Sequence, residues 1–395
     1  MPGGSPGQSA VIDALNGAAG GGDPDFSAFL TALGALGPEQ QKEVLNQLSP
    51  TALSSLGGLS SAGAGGQSAA VGQRLASLRS NPGGDAFAVF SVRGRAVYGG
   101  PLTADPAGDL TNVDASAPDR GWGFFAAPMG GFGRRDAVAS QPGFSFNSAG
   151  LIVGADRRID GRMAVGLSLG HVYGSAVTAA GGGSSTSHSL RYGAYGTVFG
   201  ETFHADMYIG GARDWYRTSR NIVFPGVSRS ASSTPEADEF NVNAQAGWDL
   251  KTSRVTLSPT VGLAFDRLMI HSFTEDGAGA VNLKVDGQVA DSVRSTLGTK
   301  LSRKFGSGTR TVTPYVSGAW QRELANQSRA ITAQFASGGA PFSVNTAAVS
   351  RDAGLVGAGV ETDWGKGLSS KLGYTGDLRP DFEAHNFSAN VRVRF

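Results

Sequence analysis

The last ten residues, Asn386 to Phe395, alternate strictly between polar and apolar side chains and end on an aromatic residue. In a β-strand, successive side chains point to opposite faces, so such a segment has one apolar and one polar face. Chain ends are usually polar and poorly ordered. We therefore expect the apolar face of this closing strand to lie against lipid, as in a barrel whose strands cross a membrane.

The same alternation recurs upstream, for example over Val255 to Phe265 and over Val293 to Phe305. From about Gly121, segments of strand length are separated by five short turns and six longer loops, the loops including 174–188 and 377–383. Membrane barrels have short turns on one side and longer loops on the other. The sequence therefore predicts an all-β transmembrane barrel of about twelve antiparallel strands, with both barrel ends on the short-turn side. A soluble β-sandwich also alternates, but nothing in it requires short and long connections to alternate.

Composition supports a barrel and excludes other classes. The 395 residues contain 33 basic and 32 acidic side chains, a balance that argues against a nucleic-acid partner. The chain has no cysteine, and no apolar run approaches the roughly 18 residues that a spanning helix needs. If the chain lies in a membrane, it must do so as a closed sheet, because only helices and closed sheets satisfy every backbone group in lipid.

The first 120 residues have a different character. Asp23-Pro24 and Gly37-Pro38 are typical helix starts, and Ser49-Pro50 repeats the signal. The Ala-, Gly- and Ser-rich stretch from Leu53 predicts a flexible linker that ends in a short helix over 69–79 and is slim enough to thread a pore. The start has neither a basic nor an apolar signal-peptide region, so we expect a processed or truncated chain, or a start that is assigned too late.

Together, the first barrel segment Gly121 to Ala126, the final Phe395, and the upstream segment Val44 to Pro50 resemble the translocator region of autotransporters. These are self-secreting proteins of Gram-negative bacteria. The resemblance implies a helical passenger remnant (1–49), a pore helix and linker (50–80), an irregular linker (81–120) and an outer-membrane barrel (121–395). It implies export of an N-terminal passenger to the cell surface, with outer-membrane lipid, the barrel assembly machinery and periplasmic chaperones as partners, and no cofactor.

Three groups of residues are candidate functional positions. The resemblance implies that the assembly machinery reads the alternating apolar positions of the last strand: Phe387, Ala389, Val391, Val393 and Phe395. Aromatic residues near strand ends are expected at the level of the lipid headgroups: Trp122, Trp215, Trp248, Trp320 and Trp364. Charged residues at inward positions are expected to hold the helix or hydrate a passing chain: Arg294, Lys300, Lys304, Arg351, Glu361 and Asp363.

Two other functions remain open at this stage. An outer-membrane phospholipase or protease could use Ser168, within Gly166-Leu167-Ser168-Leu169-Gly170, together with His204 and Asp206. The motif lies in mid-strand, however, whereas a nucleophile elbow needs a sharp strand-to-helix turn. The histidines show no metal-ligand spacing. A plain diffusion porin is the third possibility. Self-cleavage, which some autotransporters perform at an asparagine in the pore, could involve Asn46 or Asn81, although neither is in an Asn-Asn pair.

Overall fold

The fold is that of a closed antiparallel β-barrel, given by a computed structural model that describes residues 5–80, 87–88, 122–138, 141–306, 310–325, 328–346, 350–365 and 368–393. Strand β12 pairs with β1, with Phe387 opposite Gly130, and this pairing closes the sheet. The structure confirms the predicted barrel of twelve strands. They are β1 Trp122–Arg135, β2 Phe144–Asp160, β3 Met163–Thr178, β4 Gly183–Phe199, β5 Phe203–Phe224, β6 Glu236–Trp248, β7 Thr256–Ile270, β8 Gln288–Ser302, β9 Thr311–Glu323, β10 Asp352–Gly365, β11 Leu368–Arg379 and β12 Phe382–Val393.

The connections at one end of the barrel are short, and we call this end the short-turn end. We call the opposite end the loop end. Two of the long loops that were predicted there are wrong. Strand β3 continues to Thr178 and β4 begins at Gly183, while only residues 380 and 381 connect β11 to β12. Residues such as Ser184 to Ser187 are polar on both faces, so they carry no alternation, yet they continue the hydrogen-bonded ladder. Where a strand extends beyond the apolar band of the barrel, its side chains no longer alternate between apolar and polar, although its backbone remains a β-strand.

Alternation along the strands places large apolar side chains on the outside of the barrel. Leu167 is 67% exposed and Leu297 is 61% exposed, whereas Ser168 and Ala164, inward-facing residues on the strand of Leu167, are buried. In water such a surface would be unfavourable, and it fits contact with hydrocarbon. Within the described ranges, no helix is both long enough and apolar enough to cross a membrane.

In the part of the chain that the structure describes, four α-helices precede the barrel: α1 Pro6–Ala19, α2 Pro24–Gly34, α3 Pro38–Leu48 and α4 Ser55–Ser80. A 3₁₀ turn, Pro50–Ser54, joins α3 to α4. The predicted starts at Pro24 and Pro38 are confirmed, and the Asp23 side chain caps α2 by accepting hydrogen bonds from two backbone N–H groups. The predicted flexible linker is wrong, because Leu53 onward is ordered and α4 has 26 residues. Packing inside the barrel stabilises this helix against its low intrinsic propensity.

Short strands at the loop end form a cap together with α1–α3. Val227–Ser233 extends β5 as a hairpin, and a separate four-stranded sheet consists of Phe273–Thr274, Leu283–Val285, Ala330–Phe335 and Gly338–Asn345. At the short-turn end, Leu250–Lys251 pairs with β7, and Phe87–Ala88 pairs with the end of β12. Short 3₁₀ turns occur at Ala179–Gly181 and Gly279–Val281. The remainder of the predicted linker 81–120 lies outside the described residues.

Candidate pore and its resident helix

The lumen of the barrel is occupied by α4, which runs from the loop end to the short-turn end. The Ser55 hydroxyl lies 3.0 Å from that of Ser185, near the start of β4 at the loop end. Twenty-four residues later, Arg79 pairs with Asp206 near the start of β5 at the short-turn end. At 1.5 Å per residue the helix is about 39 Å long, enough to pass through a barrel that spans about 30 Å of hydrocarbon.

Small residues let the helix approach the barrel wall. A Cβ atom at Gly66 would lie 1.8 Å from the Met129 methyl carbon, and one at Gly63 would lie 2.7 Å from Nη1 of Arg191. Any side chain at these two positions would therefore have to displace the end of the Met129 or Arg191 side chain. In contrast, Ser61, Gly65 and Gly72 are exposed and face the unfilled part of the pore. The Gly- and Ala-rich composition thus serves close packing inside a narrow lumen.

Apolar contacts hold the C-terminal half of α4. Val71, Leu75 and Leu78 are each no more than 3% exposed, and they pack against inward-facing residues of β1 to β5. The wall side of this cluster is formed by Phe125, Ala127, Ile152, Ala164, Tyr195 and Tyr208. Each buried aliphatic side chain contributes about 1.5–3 kcal/mol.

A buried ion pair fixes the helix to β2. Arg74 on α4 donates from Nε and Nη2 to the two carboxylate oxygens of Asp156, at 2.7 and 2.8 Å. The Tyr195 hydroxyl donates to the same carboxylate at 2.9 Å, and the Arg74 guanidinium lies over the Phe125 ring. Two-point pairing of this kind fixes both position and orientation. It therefore sets the height of the helix in the pore.

A second buried cluster lies near the middle of the barrel. Arg191 on β4 pairs with Glu239 on β6, and both side chains are almost fully buried. Arg191 also donates from Nε to the Gln67 side chain on α4 at 2.8 Å. On other sides of the helix, Ser68 accepts from Asn243 of β6 at 3.2 Å and Gln73 donates to Ser388 of β12 at 2.7 Å. The helix is therefore bonded to strands around most of the wall.

The predicted inward charges lie mainly on the wall away from these contacts. Arg294 pairs with Asp266 of the neighbouring strand, so its partner is wall rather than helix. Glu361 lies opposite Lys371 in the β10–β11 register, and Lys300 is exposed on β8. Asp363 accepts a hydrogen bond from the Gly365 backbone N–H.

Two of these charges were predicted as strand residues and are not. Lys304 follows the end of β8 and Arg351 precedes β10, and both side chains are exposed. The predicted alternation of inward and outward residues runs two residues past the end of β8 and begins one residue before β10. A role for any of the six charged residues in holding a passing chain stays a prediction.

The residues that bind the helix were missed by sequence reasoning. Asp156, Arg191 and Glu239 all lie within strands at buried, inward positions, where a charge would be costly without a partner. The sequence does show which charged residues fall at inward-facing positions of a strand, so this signal could have identified them. Their partner Arg74 stands in a small-residue stretch that composition assigned to a linker.

The five tryptophans lie on the outer surface, each 42% to 63% exposed. Trp320 donates from its indole N–H to Asp352 at 3.0 Å, and Trp364 donates to Ser370 at 2.9 Å. The others are Trp122, Trp215 and Trp248. An apolar ring with one hydrogen-bonded edge suits a membrane interface, and their depth in the bilayer stays a prediction.

The closing strand β12 presents Phe387 outward, 56% exposed, with its ring 6.2 Å from that of Phe132 on β1. The backbone of Ala389, Val391 and Val393 belongs to β12, and Phe395 lies outside the described residues. Recognition of these positions by assembly machinery stays a prediction.

The candidate hydrolytic residues are not assembled into a catalytic pair. Ser168 is paired in register with Gly193, which is paired with Gly210, whereas His204 lies six residues away along β5. At about 3.3 Å per residue this separates them by roughly 20 Å along the strand direction. The Asp206 carboxylate pairs with Arg79. A histidine at this distance cannot act as the base for Ser168.

Asn46, considered above for self-cleavage, lies on α3 at the loop end and accepts a hydrogen bond from the Gln8 side chain at 3.0 Å. It is therefore outside the pore, and Asn81 is outside the described residues.

Comparisons with known proteins agree with this architecture. Residues 124–375 match the family model "Autotransporter beta-domain". An extracellular serine protease of Serratia marcescens is 27% identical over 293 residues, which are 73% of this chain and 27% of the relative. The esterase EstA of Pseudomonas aeruginosa is 25% identical over 205 residues, which are 51% of this chain and 31% of the relative. The chain thus spans about a quarter to a third of the length of these curated relatives.

Among solved structures, the translocator domain of NalP from Neisseria meningitidis is similar with a TM-score of 0.56 and 15% identity. The alignment covers 68% of this chain and 87% of the NalP domain. At this identity the likeness concerns the fold alone.

Proposed function

This chain belongs to the autotransporter family, since the family model covers well over half of it, and we propose that α1–α3 is the end of a passenger that has left through the pore now filled by α4. The barrel is an integral outer-membrane translocator domain. An autotransporter domain implies a passenger segment on the same chain.

One observation carries the proposal: the direction of α4. Its first residue lies at the loop end and its last residues lie at the short-turn end, where β1 also begins. In outer-membrane barrels the short turns face the periplasm and the longer loops face outward. The chain ahead of α4 is therefore placed outside the cell while the barrel termini are periplasmic, which is the expected arrangement after export.

Export by this route needs no catalytic residue in the barrel, and we infer that the domain is not an enzyme. The small side chains of α4 suit a segment that must pass a narrow lumen and then remain in it. Folding of the passenger outside the cell supplies a driving force, because the folded segment cannot return through the pore. We expect lipid, the barrel assembly machinery and periplasmic chaperones to be partners during insertion.

A surface-exposure experiment tests this function. An epitope is fused ahead of Ser5, and intact cells are treated with an external protease. The epitope should be lost from intact cells, while an epitope placed in the short turn at Gly161 should be lost only after the outer membrane is opened. Protection of the N-terminal epitope in intact cells would contradict the proposed direction of α4.

The proposed assembly signal has its own test. Changing Phe395 to Asp should lower the amount of heat-modifiable barrel in outer-membrane fractions, because a charge would replace the terminal aromatic residue. Unchanged insertion would contradict the role assigned to this residue.

A further inference from the structure

The cap at the loop end buries one continuous apolar core that α1–α3 and the loop strands share. Phe26, Phe29 and Leu33 of α2 are each no more than 1% exposed. The Phe29 ring packs edge-on against Phe224 at 5.5 Å, and Phe26 lies 6.1 Å from Phe335. Segments of 14, 11 and 11 residues are too small to bury such side chains without a partner. The loop strands therefore complete the core of α1–α3.

Directional polar contacts accompany this apolar core. Asp25 at the start of α2 receives two hydrogen bonds from Arg229, at 2.8 and 2.6 Å, and a third from the Ala280 backbone N–H at 2.9 Å. Arg229 also donates to the Ala278 carbonyl oxygen at 2.9 Å, and its guanidinium lies over the Phe29 ring. One arginine thus joins the hairpin 227–233, the turn 279–281 and α2.

A second contact fixes α3 to the extension of β5. The Gln47 side chain accepts from the Val223 backbone N–H at 2.8 Å and donates to the Val223 carbonyl oxygen at 3.4 Å, as a neighbouring strand would. Arg220 donates to the Gln47 backbone carbonyl oxygen at 2.9 Å, and Glu275 holds this buried guanidinium in place. This face of the loops is therefore shaped to receive α3 in one position.

We propose that the face of the loop strands that contacts α1–α3, here called the docking face, is a receptor that holds α1 and α2 on the cell surface after their covalent link to α3 is cut. A passenger attached ahead of α1 would then stay on the cell even when the chain between α2 and α3 is cut. Burial of Ser49 and Thr51 at the α3–α4 junction also withholds that connection from proteases. The inference rests on the proposed function, because it requires α1–α3 to be outside.

The test uses the full chain on intact cells. A recognition sequence for a site-specific protease is inserted between Ala35 and Leu36, in the exposed connection of α2 to α3, and an epitope precedes Ser5. After external cleavage, the rate at which the epitope appears in the medium is measured. Retention of the epitope on the cells is the expected result.

Two variants remove contacts of the docking face. Arg229→Ala deletes the Asp25 pairing and should release the cut fragment at least about tenfold faster. Phe29→Ala, on the fragment itself, should speed release by about a hundredfold or more because a buried aromatic side chain is lost. Arg254→Ala is the matched control, since Arg254 is exposed in a turn at the opposite end of the barrel, and it should behave like the parent.

The outcomes separate the two claims. If the parent releases the cut fragment as fast as Arg229→Ala and Phe29→Ala do, the docking proposal is wrong. The proposed direction of α4 would not be affected by that result. Failure of the external protease to cut the inserted sequence on intact cells, with cutting after the membrane is opened, would place α1–α3 inside and overturn both. Heat-modifiable barrel at the parental level in each variant ensures that the barrel itself has assembled.

Discussion

Breaking the Arg74–Asp156 pair by Asp156→Leu should loosen α4 from the pore. Both side chains are almost fully buried, so removal of the carboxylate leaves the Arg74 charge in a site that solvent reaches poorly. Losing one partner of a buried pair costs about 3–5 kcal/mol. That free energy lowers the ratio of docked to undocked helix by roughly 150- to 5,000-fold.

Conductance of the purified protein in a planar bilayer measures the effect directly. The parent should conduct poorly because α4 fills the lumen, and Asp156→Leu should show larger and more frequent open events. The matched control is Asp266→Leu, which breaks a pair between two wall strands and does not touch α4. This control should lower the stability of the barrel without opening the pore to the same degree.

A compensating variant distinguishes the effect of the buried Arg74 charge from the effect of a changed side-chain shape. Replacing all three polar partners, with Arg74→Met, Asp156→Leu and Tyr195→Phe together, removes the buried guanidinium along with the carboxylate and the hydroxyl group that contact it. Apolar replacement of a whole buried network is often neutral, so low conductance should return. Equal conductance in the parent and in Asp156→Leu would refute the reasoning. A triple variant with the same conductance as Asp156→Leu would also refute it. A conductive parent would favour the diffusion porin.

Three further predictions follow from the same contacts. Gly66→Leu should open the pore by colliding with Met129, whereas Gly72→Ala, where no atom lies within 4 Å, should raise the melting temperature of the helix-filled barrel through about 0.5–1 kcal/mol of helix propensity. Arg229 lowers the pKa of the Asp25 carboxyl group, so the contribution of Asp25 to docking is complete above the unfolded pKa near 4 and is lost as the pH falls through the lower folded pKa. Proteolysis of α1–α3 should therefore rise as the pH falls below about 4 in the parent, and less in Asp25→Asn. Ser168→Ala should leave assembly and epitope display unchanged, and loss of a hydrolytic activity in that variant would support the enzyme alternative.

The barrel could be predicted from the sequence because its signal is strictly local. Alternation over Val293 to Leu301 reports which face of one strand meets lipid, and no distant residue is needed to interpret it. Near the loop end this signal disappears, because both faces of a strand segment such as Ser184 to Ser187 are polar: Ser184 is exposed, and the buried Ser185 contacts Ser55 of α4. The strands there are held by ladder hydrogen bonds, which do not depend on side-chain type.

The helix and its partners depend on contacts that are distant in sequence. Ser60 to Gly66 has the composition of a linker, yet it is helical, because packing against the barrel wall stabilises α4; the close approach of Met129 and Arg191 accounts for the glycines at 66 and 63. The pairing of Arg74 with Asp156 joins positions 82 residues apart. Strand parity could have identified Asp156 as a buried charge, but not which residue neutralises it.

The central claim, that α4 lies in the barrel with its first turn at the loop end, is tested most directly by an engineered disulfide. The chain has no cysteine, and the Ser55 and Ser185 hydroxyl oxygens are 3.0 Å apart, so Ser55→Cys with Ser185→Cys should cross-link in assembled barrels on intact cells. Ser55→Cys with Ser388→Cys should not, because Ser388 contacts Gln73, about 27 Å further along the helix. No cross-link in the first pair, or equal cross-linking in both, would contradict the account.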